Sequence, residues 1–295
     1  DNIDLLIYPT PFTYGFPDKI PYIVFIPNLM HKYYPNFPEF GFKRNIIRDI
    51  VYKLYARNSI FNVVDSQQGA EDIDKFFGIK KEKSRIIPFV PAGYIYKYRD
   101  MDEKTIEDVL SRYNLPEKFV FYPAQFWHHK NHLRLVKTIY KIKEKYKIEV
   151  NLVLTGVAKG NYNKTFDLIK KLEISEQIFH LGYVSEKELV ALYKKSIALI
   201  FPSLFGPTDI PCLEAMVLGT PVVCSNLFEI PNQVGNAGIF FNPFEVGEMA
   251  EKIYEIWTNK ELRQQLIRNG KERTNNLTLE NYAKEWEKII QEALC

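Results

Sequence analysis

The chain has 295 residues, of which 46% are hydrophobic and 25% are charged, with 39 Lys and Arg against 36 Asp and Glu. This composition is typical of a globular protein of about two domains, and it excludes a collagen-like chain, a coiled coil and a long disordered tail. The formal net charge of +3 is too small to indicate nucleic-acid binding by bulk electrostatics, so we expect no nucleic-acid partner.

The distribution of apolar residues and the use of cysteine indicate in which cellular compartment the protein is expected. No run of roughly 18 or more apolar residues occurs, so the sequence predicts no membrane-spanning helix, and its start does not resemble a signal peptide. The three cysteines, Cys212, Cys224 and Cys295, include no CxxC pair. This usage favours a reducing compartment and argues against a structural zinc site. We therefore expect a cytoplasmic protein.

In the first third, short apolar runs alternate with amphipathic stretches, a pattern typical of a parallel sheet with crossover helices. The predicted elements are strands over residues 4–8, 22–26, 60–65 and 85–88, and helices over residues 42–57 and 67–77. Ser66 is the predicted N-cap of the second helix, and Gly78 is its predicted end. The prolines of residues 88–93 predict an extended linker.

From about residue 95 the alternation becomes regular. The predicted strands are residues 119–122, 150–155, 178–181, 197–201 and 221–224, and the predicted helices are residues 133–146, 165–172, 186–194, 212–218, 248–257, 260–274 and 280–293. Five parallel strands with right-handed crossovers form a doubly wound domain, whose ligands bind beyond the carboxyl ends of the strands. We therefore expect the site in the loops after Tyr122, Thr155, Leu181 and Phe201.

A histidine-rich segment follows the first strand of this domain. His128 and His132 have the i, i+4 spacing of helical zinc sites, but no third carboxylate ligand is near them, so no metal is predicted. Lys130 stands beside the start of a predicted helix, where the free N–H groups and the helix dipole favour an anion. The residues alone leave a phosphate site and a solvated basic loop equally open.

The segment after Phe201 ends in a helix predicted to begin around Pro211, a residue type favoured at the first helical position, and to end at Gly219. Glu214 then falls in the first turn. A carboxylate there commonly does no more than complement the helix dipole. The alternative is that Glu214 accepts hydrogen bonds from vicinal hydroxyls, such as those of a ribose, while the helix N–H groups hold a diphosphate.

From about Asn62 onward the chain resembles the retaining glycosyltransferases of the GT-B fold, specifically glycosyltransferase family 4. The matching pieces include Leu-Gly-Tyr-Val-Ser at 181–185, Pro-Cys-Leu-Glu-Ala-Met at 211–216, Gly-Thr-Pro-Val-Val at 219–223 and Val-Gly-Asn-Ala-Gly at 234–238. The resemblance implies an α/β protein with two Rossmann-like doubly wound domains that face a cleft. It also implies a nucleotide-diphosphate sugar on the C-terminal domain and an acceptor on the N-terminal domain.

On this resemblance we expect three segments. Residues 1–94 form a partial N-terminal, acceptor-side domain, residues 95–275 form the donor-binding domain, and residues 276–295 form a helix that crosses back to the N-terminal domain. The first segment is short for a full doubly wound sheet and opens on Asp1 rather than Met. We therefore expect the natural N-terminal segment, with part of the acceptor site, to be missing.

The family's Glu-x7-Glu motif maps onto this chain with one departure. Glu214 matches the second Glu, which binds the donor ribose, but position 206 holds Gly206 where the first Glu is expected. The run Gly-Pro-Thr-Asp-Ile-Pro at 206–211 resembles a subgroup variant. There we expect Thr208 and Asp209 to contact the sugar, and Gly206 and Ile210 to belong to the same donor-binding site.

The family's phosphate-binding Arg and Lys match Gln125 and Lys130, so the Arg is absent. Neutralisation of the diphosphate then falls on Lys130, on helix N–H groups and on His128 or His129. Tyr183 and Val184 match positions whose backbone lines the nucleobase pocket in the family.

The catalytic candidates are Lys130 and His31. Pro-Asn-Leu at 27–29 stands where the family often has His-Asp-Leu, and His31 follows it, either as a catalytic group in the cleft or as a structural histidine. The resemblance implies no protein nucleophile, because the donor phosphate oxygen takes the acceptor proton. Lys130 would then stabilise the leaving diphosphate.

The expected function is transfer of a sugar, with retention, to a saccharide or lipid-linked acceptor in cell-surface polysaccharide, lipopolysaccharide or glycolipid synthesis, without cofactor or metal. The alternatives are a sugar-nucleotide epimerase of the same fold, which the few carboxylates near 125–132 and 203–214 disfavour, and a non-catalytic nucleotide-sugar-binding protein with a degenerate site. The lysines at 141, 143, 145 and 147 indicate either peripheral contact with the inner membrane face or a solvated helix end.

Overall fold

The computed structural model describes residues 3–11, 20–206 and 208–295, apart from the side chain of Phe42. The strands in chain order are β1 (Leu6–Tyr8), β2 (Tyr22–Phe25), β3 (Asn62–Val64), β4 (Ser84–Ile86), β5 (Val120–Pro123), β6 (Leu152–Thr155), β7 (Ile178–His180), β8 (Leu199–Phe201), β9 (Val222–Ser225) and β10 (Gly238–Phe241). The helices are α1 (Met30–Tyr33), α2 (Phe42–Asn58), α3 (Gln67–Phe77), α4 (Gly93–Tyr98), α5 (Glu103–Leu110), α6 (His132–Tyr146), α7 (Tyr162–Lys171), α8 (Glu186–Lys195), α9 (Ile210–Leu218), α10 (Ile230–Val234), α11 (Val246–Thr258), α12 (Lys260–Arg273) and α13 (Leu279–Leu294).

The chain divides into two compact units, one of residues Asp1–Val90 with Leu277–Cys295 and the other of residues Pro91–Asn276. In the first unit, β1 to β4 form a parallel sheet in sequential order. Strand β2 is buried throughout, which explains its uninterrupted apolar sequence. Helices α2 and α3 make the crossovers between β2, β3 and β4.

The caps of α3 confirm two sequence predictions. The Ser66 hydroxyl accepts a 3.1 Å hydrogen bond from the Gly69 N–H, and so satisfies one of the unpaired donors of the first turn. Gly78 ends the helix with a φ of 67°, in the left-handed region that glycine adopts at least cost.

Helix α13 packs on the first unit. Its Ile289 is buried against Ile23 and Val63 of the sheet, and Tyr282 and Trp286 lie beside it. This apolar stripe recurs at helical spacing, as expected for a helix that buries one face. The last turns of the chain therefore complete the core of the unit that contains β1 to β4.

The second unit contains a parallel sheet of six strands in the order β10-β9-β8-β5-β6-β7. The sequence pattern predicts five of these strands and not β10, so the predicted strand count was wrong. Strand β10 lies at the sheet edge with mostly half-buried residues, and its sequence Gly-Ile-Phe-Phe is too short an apolar run to stand out as a strand. Helices α4 and α5, in and after the predicted linker, were also missed.

The strand order reverses between β5 and β8, which are neighbours in the sheet but are separated in the chain by β6 and β7. The carboxyl ends of two such strands and their loops form the crevice where doubly wound sheets bind ligands. Within the described ranges, no helix is long and apolar enough to cross a bilayer.

Candidate functional site

The candidate site is built by the loops that follow β5 and β8. The first loop leads into α6 and the second into α9, so two helix N-termini begin at the same edge of the sheet. Asn131 joins the loops: it is buried with a φ of 60°, and its side-chain amide donates to the carbonyls of Pro202 (3.1 Å) and Pro243 (2.9 Å). This contact fixes the position of the neighbouring Lys130.

Lys130 points toward the loop after β8. Its Nζ lies 5.0 Å from the centroid of the Phe201 ring, and its carbonyl accepts a 2.9 Å hydrogen bond from the Tyr122 hydroxyl. Burial lowers the pKa of Lys130, and the nearby Asp209 and Cys212 act in the opposite direction. The structure therefore brings the cation predicted for phosphate binding close to the start of α9.

Asp209 precedes α9 and is 3% exposed. Its N–H donates a 2.9 Å hydrogen bond to Oε1 of Gln233, which holds the loop against α10. A Cβ at Gly206 would overlap the Asp209 carboxyl group. In this loop conformation the Asp209 carboxylate occupies the space that a glutamate at 206 would need. Thr208 is half-buried, and Pro207 lies outside the described residues.

Glu214 lies deeper than the sequence indicated. Helix α9 begins at Ile210, so Glu214 is one turn into the helix, and the expectation that it lies in the first turn was wrong. Its side chain is buried, and each carboxylate oxygen accepts one hydrogen bond: Oε1 from the Tyr94 hydroxyl (2.9 Å) and Oε2 from the Tyr193 hydroxyl (2.8 Å). Burial raises the pKa of Glu214, whereas the two tyrosine hydrogen bonds lower it. Complementing the helix dipole does not account for a carboxylate held in this way.

Sequence reasoning missed the role of Tyr94, since 120 residues separate it from Glu214. It also missed Gly156 and Gly160 in the loop after β6. Both have positive φ, and a Cβ at either would come within 3 Å of the carbonyl of Ala124 or Phe126 in the loop after β5. The sequence does contain a signal for this contact, because a pair of glycines just beyond a strand is typical of a place where another backbone segment comes close.

Tyr183 and Val184 follow β7. Tyr183 is 82% exposed, whereas Val184 is buried, so consecutive side chains point to solvent and to the core. Gly182, with a φ of 68°, makes the turn before them, and its carbonyl accepts a 2.8 Å hydrogen bond from the Gly156 N–H. An exposed ring at the carboxyl edge of the sheet is available for stacking.

The other predicted residues near Lys130 have partners of their own. Gln125 is exposed, and its Oε1 accepts a 2.9 Å hydrogen bond from the Trp127 indole. Nδ1 of His128 lies 3.2 Å from Nδ2 of Asn161. His132 is buried beside the ring of Phe126, and burial lowers its pKa to about 3. In the part of the chain that the structure describes, no three His, Cys, Asp or Glu side chains are grouped as metal ligands.

His31 belongs to the first unit. It is 2% exposed, its Nε2 lies 2.8 Å from Oδ1 of Asp49, and its ring packs against Phe40 and Tyr52. Burial lowers the pKa of His31, and the hydrogen bond to Asp49 opposes this shift. These contacts explain why His31 is ordered in the core, and its catalytic role stays a prediction.

Known proteins share this fold. Sucrose-phosphate synthase from Thermosynechococcus elongatus superposes with a TM-score of 0.78 at 20% identity, covering 92% of this chain and 68% of that one. Anabaena HepE in complex with UDP and glucose superposes with a TM-score of 0.77 at 17% identity, covering 92% of this chain and 72% of that one. The predicted α/β GT-B fold, with parallel sheets in two Rossmann-like halves, is confirmed.

Sequence similarity leads to the family. The chain is 26% identical over 174 residues to O-antigen chain mannosyltransferase B of Escherichia coli, a match that covers 59% of this chain and 46% of that protein. The chain thus spans less than half the length of this curated relative. Residues 104–273, more than half of the chain, match the family described as Glycosyl transferases group 1. The chain belongs to the glycosyl transferases group 1 family.

Proposed function

We propose that this protein transfers a sugar from a nucleotide-diphosphate sugar to a saccharide or lipid-linked acceptor, with retention of the anomeric configuration. The observation that carries the proposal is the position of Lys130 near Asp209, directly before α9, with Glu214 one turn into that helix, beyond the point where the strand order reverses. A cation, a helix N-terminus and two buried carboxylates are the groups that a diphosphate and its two flanking sugars require.

Glu214 is the proposed ligand of the donor ribose. A ribose offers two vicinal hydroxyls, and a carboxylate offers two oxygens that accept from both. Tyr193 is buried and orients the carboxylate from the protein side through Oε2. Tyr94 donates to Oε1, so the ribose either adds to this hydrogen bond or replaces it.

Lys130 is the proposed diphosphate ligand and the group that stabilises the departing charge. Its ammonium lies near a buried carboxylate and beside two helix N-termini, an environment in which interactions with an anion are stronger than in water. As the glycosidic bond breaks, negative charge grows on the diphosphate, and a positioned cation lowers the energy of that transition state. Lys130, together with His128 or His129, is proposed to neutralise the charge of the diphosphate.

Asp209 is the proposed ligand of the transferred sugar, together with Thr208. Its carboxylate occupies the space beside Gly206 where the first Glu of the family motif is expected. Asp209, three residues further along the chain than position 206, would therefore supply the negative charge of that glutamate. Tyr183, at the same edge of the sheet, is proposed to contact the nucleobase.

Retention is proposed to proceed without a protein nucleophile. The acceptor oxygen attacks the anomeric carbon from the face that the diphosphate leaves. The departing phosphate oxygen accepts the acceptor's proton, so that the donor supplies its own base. The task of the protein is then to position both substrates and to stabilise the leaving group.

The name of the Escherichia coli relative makes mannose the first sugar to test, and cell-surface polysaccharide the first class of product. Calorimetric titration of wild type and Glu214→Ala with UDP, GDP and ADP tests the donor site. One of the three nucleotides should bind the wild type. The same nucleotide should bind the variant at least about tenfold more weakly, because a hydrogen bond to a charged group contributes about 1.5–3 kcal/mol. Failure of all three to bind wild type at millimolar concentration would refute the donor site.

Incubation with the matching nucleotide sugar and a saccharide acceptor tests the reaction itself. The expected product is a new glycosidic bond with the donor's anomeric configuration, read by NMR coupling constants. An inverted product would refute retention. Binding without transfer favours a non-catalytic protein, and release of an isomerised sugar favours an epimerase.

A further inference from the structure

The loop after β9 holds a phenylalanine in a backbone conformation that aromatic residues rarely adopt. Phe228 has a φ of 52°, in the left-handed region where a side chain crowds the backbone. In the described part of the chain, the other non-glycine residues with positive φ are Asn131, a residue type that tolerates this region, and Lys147 and Glu173, which lie just beyond the ends of α6 and α7. Phe228 follows a strand instead, so contacts around its ring must hold this conformation.

The ring of Phe228 packs on Phe205, in the loop after β8. The two ring centroids are 4.7 Å apart and the ring planes are inclined by 62°, an edge-to-face geometry that is favourable for aromatic pairs. Phe205 is 5% exposed, and its carbonyl accepts a 2.7 Å hydrogen bond from the Ser203 hydroxyl, so its position is fixed. Phe228 is only half-buried, and it therefore keeps accessible surface for a further contact.

This aromatic pair borders the proposed subsite of the transferred sugar. Gly206 directly follows Phe205, and a Cβ at Gly206 would overlap the Asp209 carboxyl group. The Asp209 N–H donates its 2.9 Å hydrogen bond to Gln233 of α10, the helix that begins just after Phe228. Two contacts, Phe205 with Phe228 and Asp209 with Gln233, therefore hold the loop after β9 against the segment that carries the proposed sugar ligands.

The order of the strands places Phe228 at the sugar end of the donor. Along the sheet, β7 and β9 lie on opposite sides of β5 and β8. Tyr183 follows β7, Lys130 follows β5 and Phe228 follows β9. These three residues therefore occur in the same order along the carboxyl edge of the sheet as the nucleobase, the diphosphate and the sugar occur in the donor.

A hexose has hydroxyl groups around its rim and C–H groups on its faces. The hydroxyls need polar partners such as the Asp209 carboxylate, whereas the C–H groups gain by leaving water for an apolar surface. A phenyl ring offers such a surface. We propose that Phe228 is a further donor-binding residue, whose ring packs on the C–H face of the transferred hexose while Asp209 binds the hydroxyls. This inference rests on the proposed function, because it takes Asp209 as the sugar ligand.

Calorimetric titration of Phe228→Gly separates this contact from the nucleotide site. Glycine adopts a positive φ without strain, so the loop keeps its conformation while the ring is removed. The probes are UDP-glucose, GDP-mannose and ADP-glucose, each compared with its own nucleoside diphosphate. The variant should bind the nucleotide sugar about three- to tenfold more weakly than wild type, because the contact of one aromatic ring is lost. It should bind the diphosphate equally well, because the ring does not contact the phosphates or the nucleoside.

Two controls show whether the ring itself is responsible. Phe228→Tyr keeps the ring and should bind the nucleotide sugar like wild type. Phe244→Ala removes an exposed phenyl ring (43%) from the loop after β10 in the same unit and should also bind like wild type. Saturation-transfer NMR gives a readout that a merely structural role would not change. Saturation of the protein's aromatic protons should reach the hexose protons in wild type and be reduced in Phe228→Gly.

The outcomes separate this inference from the proposed function. If wild type binds none of the probes, the donor site is refuted and the inference with it. If wild type binds a nucleotide, three results overturn the inference alone: unchanged affinity for the nucleotide sugar in Phe228→Gly, an equal loss for the nucleotide sugar and its diphosphate, or hexose saturation transfer in that variant that equals wild type.

Discussion

The Tyr193 hydroxyl donates a 2.8 Å hydrogen bond to Oε2 of Glu214, and both side chains are buried. Tyr193 lies on α8 and Glu214 on α9, so the contact joins the helices that precede and follow β8 in the chain. Because the carboxylate has little contact with water, its orientation depends on the two tyrosines that surround it.

Replacing Tyr193 with Phe should therefore damage both stability and donor binding. The variant leaves a buried carboxylate oxygen without its hydrogen bond, which costs about 1–3 kcal/mol in the free energy of unfolding. Urea denaturation measures this loss. The matched variant Tyr94→Phe should cost less, because Tyr94 is only half-buried and water can replace its hydroxyl. Equal losses would show that Tyr193 has no special structural role.

Donor binding should weaken on acidification at a pH above 4.5, the ordinary pKa of a glutamate, because burial raises the pKa of Glu214. The ribose hydroxyls donate to the ionised carboxylate, so protonation removes a charged acceptor. Calorimetric titrations with the nucleotide over this pH range give the profile. In Glu214→Gln the nucleotide still titrates but the side chain at 214 does not. The nucleotide affinity of this variant should therefore depend less on pH than that of the wild type. An unchanged profile in Glu214→Gln would contradict this prediction.

Acid should destabilise the fold through His132. Its pKa is lowered from 6.5 to about 3 by burial, so the folded state holds it neutral while the unfolded state protonates it. The contribution of His132 to the free energy of unfolding is therefore fully present above pH 6.5. It is lost as the pH falls from 6.5 toward 3, by up to about 1.4 kcal/mol per pH unit.

The variants His132→Leu and His132→Gln should both lose part of this pH dependence, although they differ in packing. Urea unfolding across the acid range measures the slope. If both variants retain the full wild-type slope, another group is responsible for the acid sensitivity.

Restoring a glutamate at position 206 should harm this protein rather than improve it. In Gly206→Glu the new Cβ overlaps the Asp209 carboxyl group, so the loop must shift at a cost of about 1–3 kcal/mol. The double variant Gly206→Glu, Asp209→Gly removes the overlap and keeps one carboxylate. Its stability and nucleotide affinity should exceed those of the single variant, giving a coupling of about 0.5–3 kcal/mol. Additive effects would show that the two positions do not compete for space.

Lys130→Ala should weaken binding of a nucleoside diphosphate by about 10- to 100-fold and leave binding of the matching nucleoside nearly unchanged. The reason is that the ammonium is proposed to contact phosphate and not the base or ribose. Lys141→Ala, an exposed lysine of the adjoining helix α6, is the control and should behave like wild type. Equal loss for both ligands would place Lys130 away from the phosphates.

Local patterns in the sequence determined much of this protein. Short apolar runs identified nine of the strands, because strands that a parallel sheet buries on both faces are nearly continuous in apolar residues. Ser66 and Gly78 marked the ends of α3, because their chemistry acts within one helical turn. The site was expected in the loops after β5, β6, β7 and β8, since ligands of a doubly wound sheet bind beyond the carboxyl ends of its strands.

Tertiary structure decided what depends on distant parts of the chain. The Tyr94 hydroxyl reaches Glu214 across 120 residues, and no local pattern encodes that pairing. The competition between Gly206 and Asp209 for one space depends on the loop conformation, because side-chain volume has meaning only in three dimensions. The outward face of α2 is apolar in sequence like any core-facing stripe, and only packing shows which of its two apolar faces remains exposed.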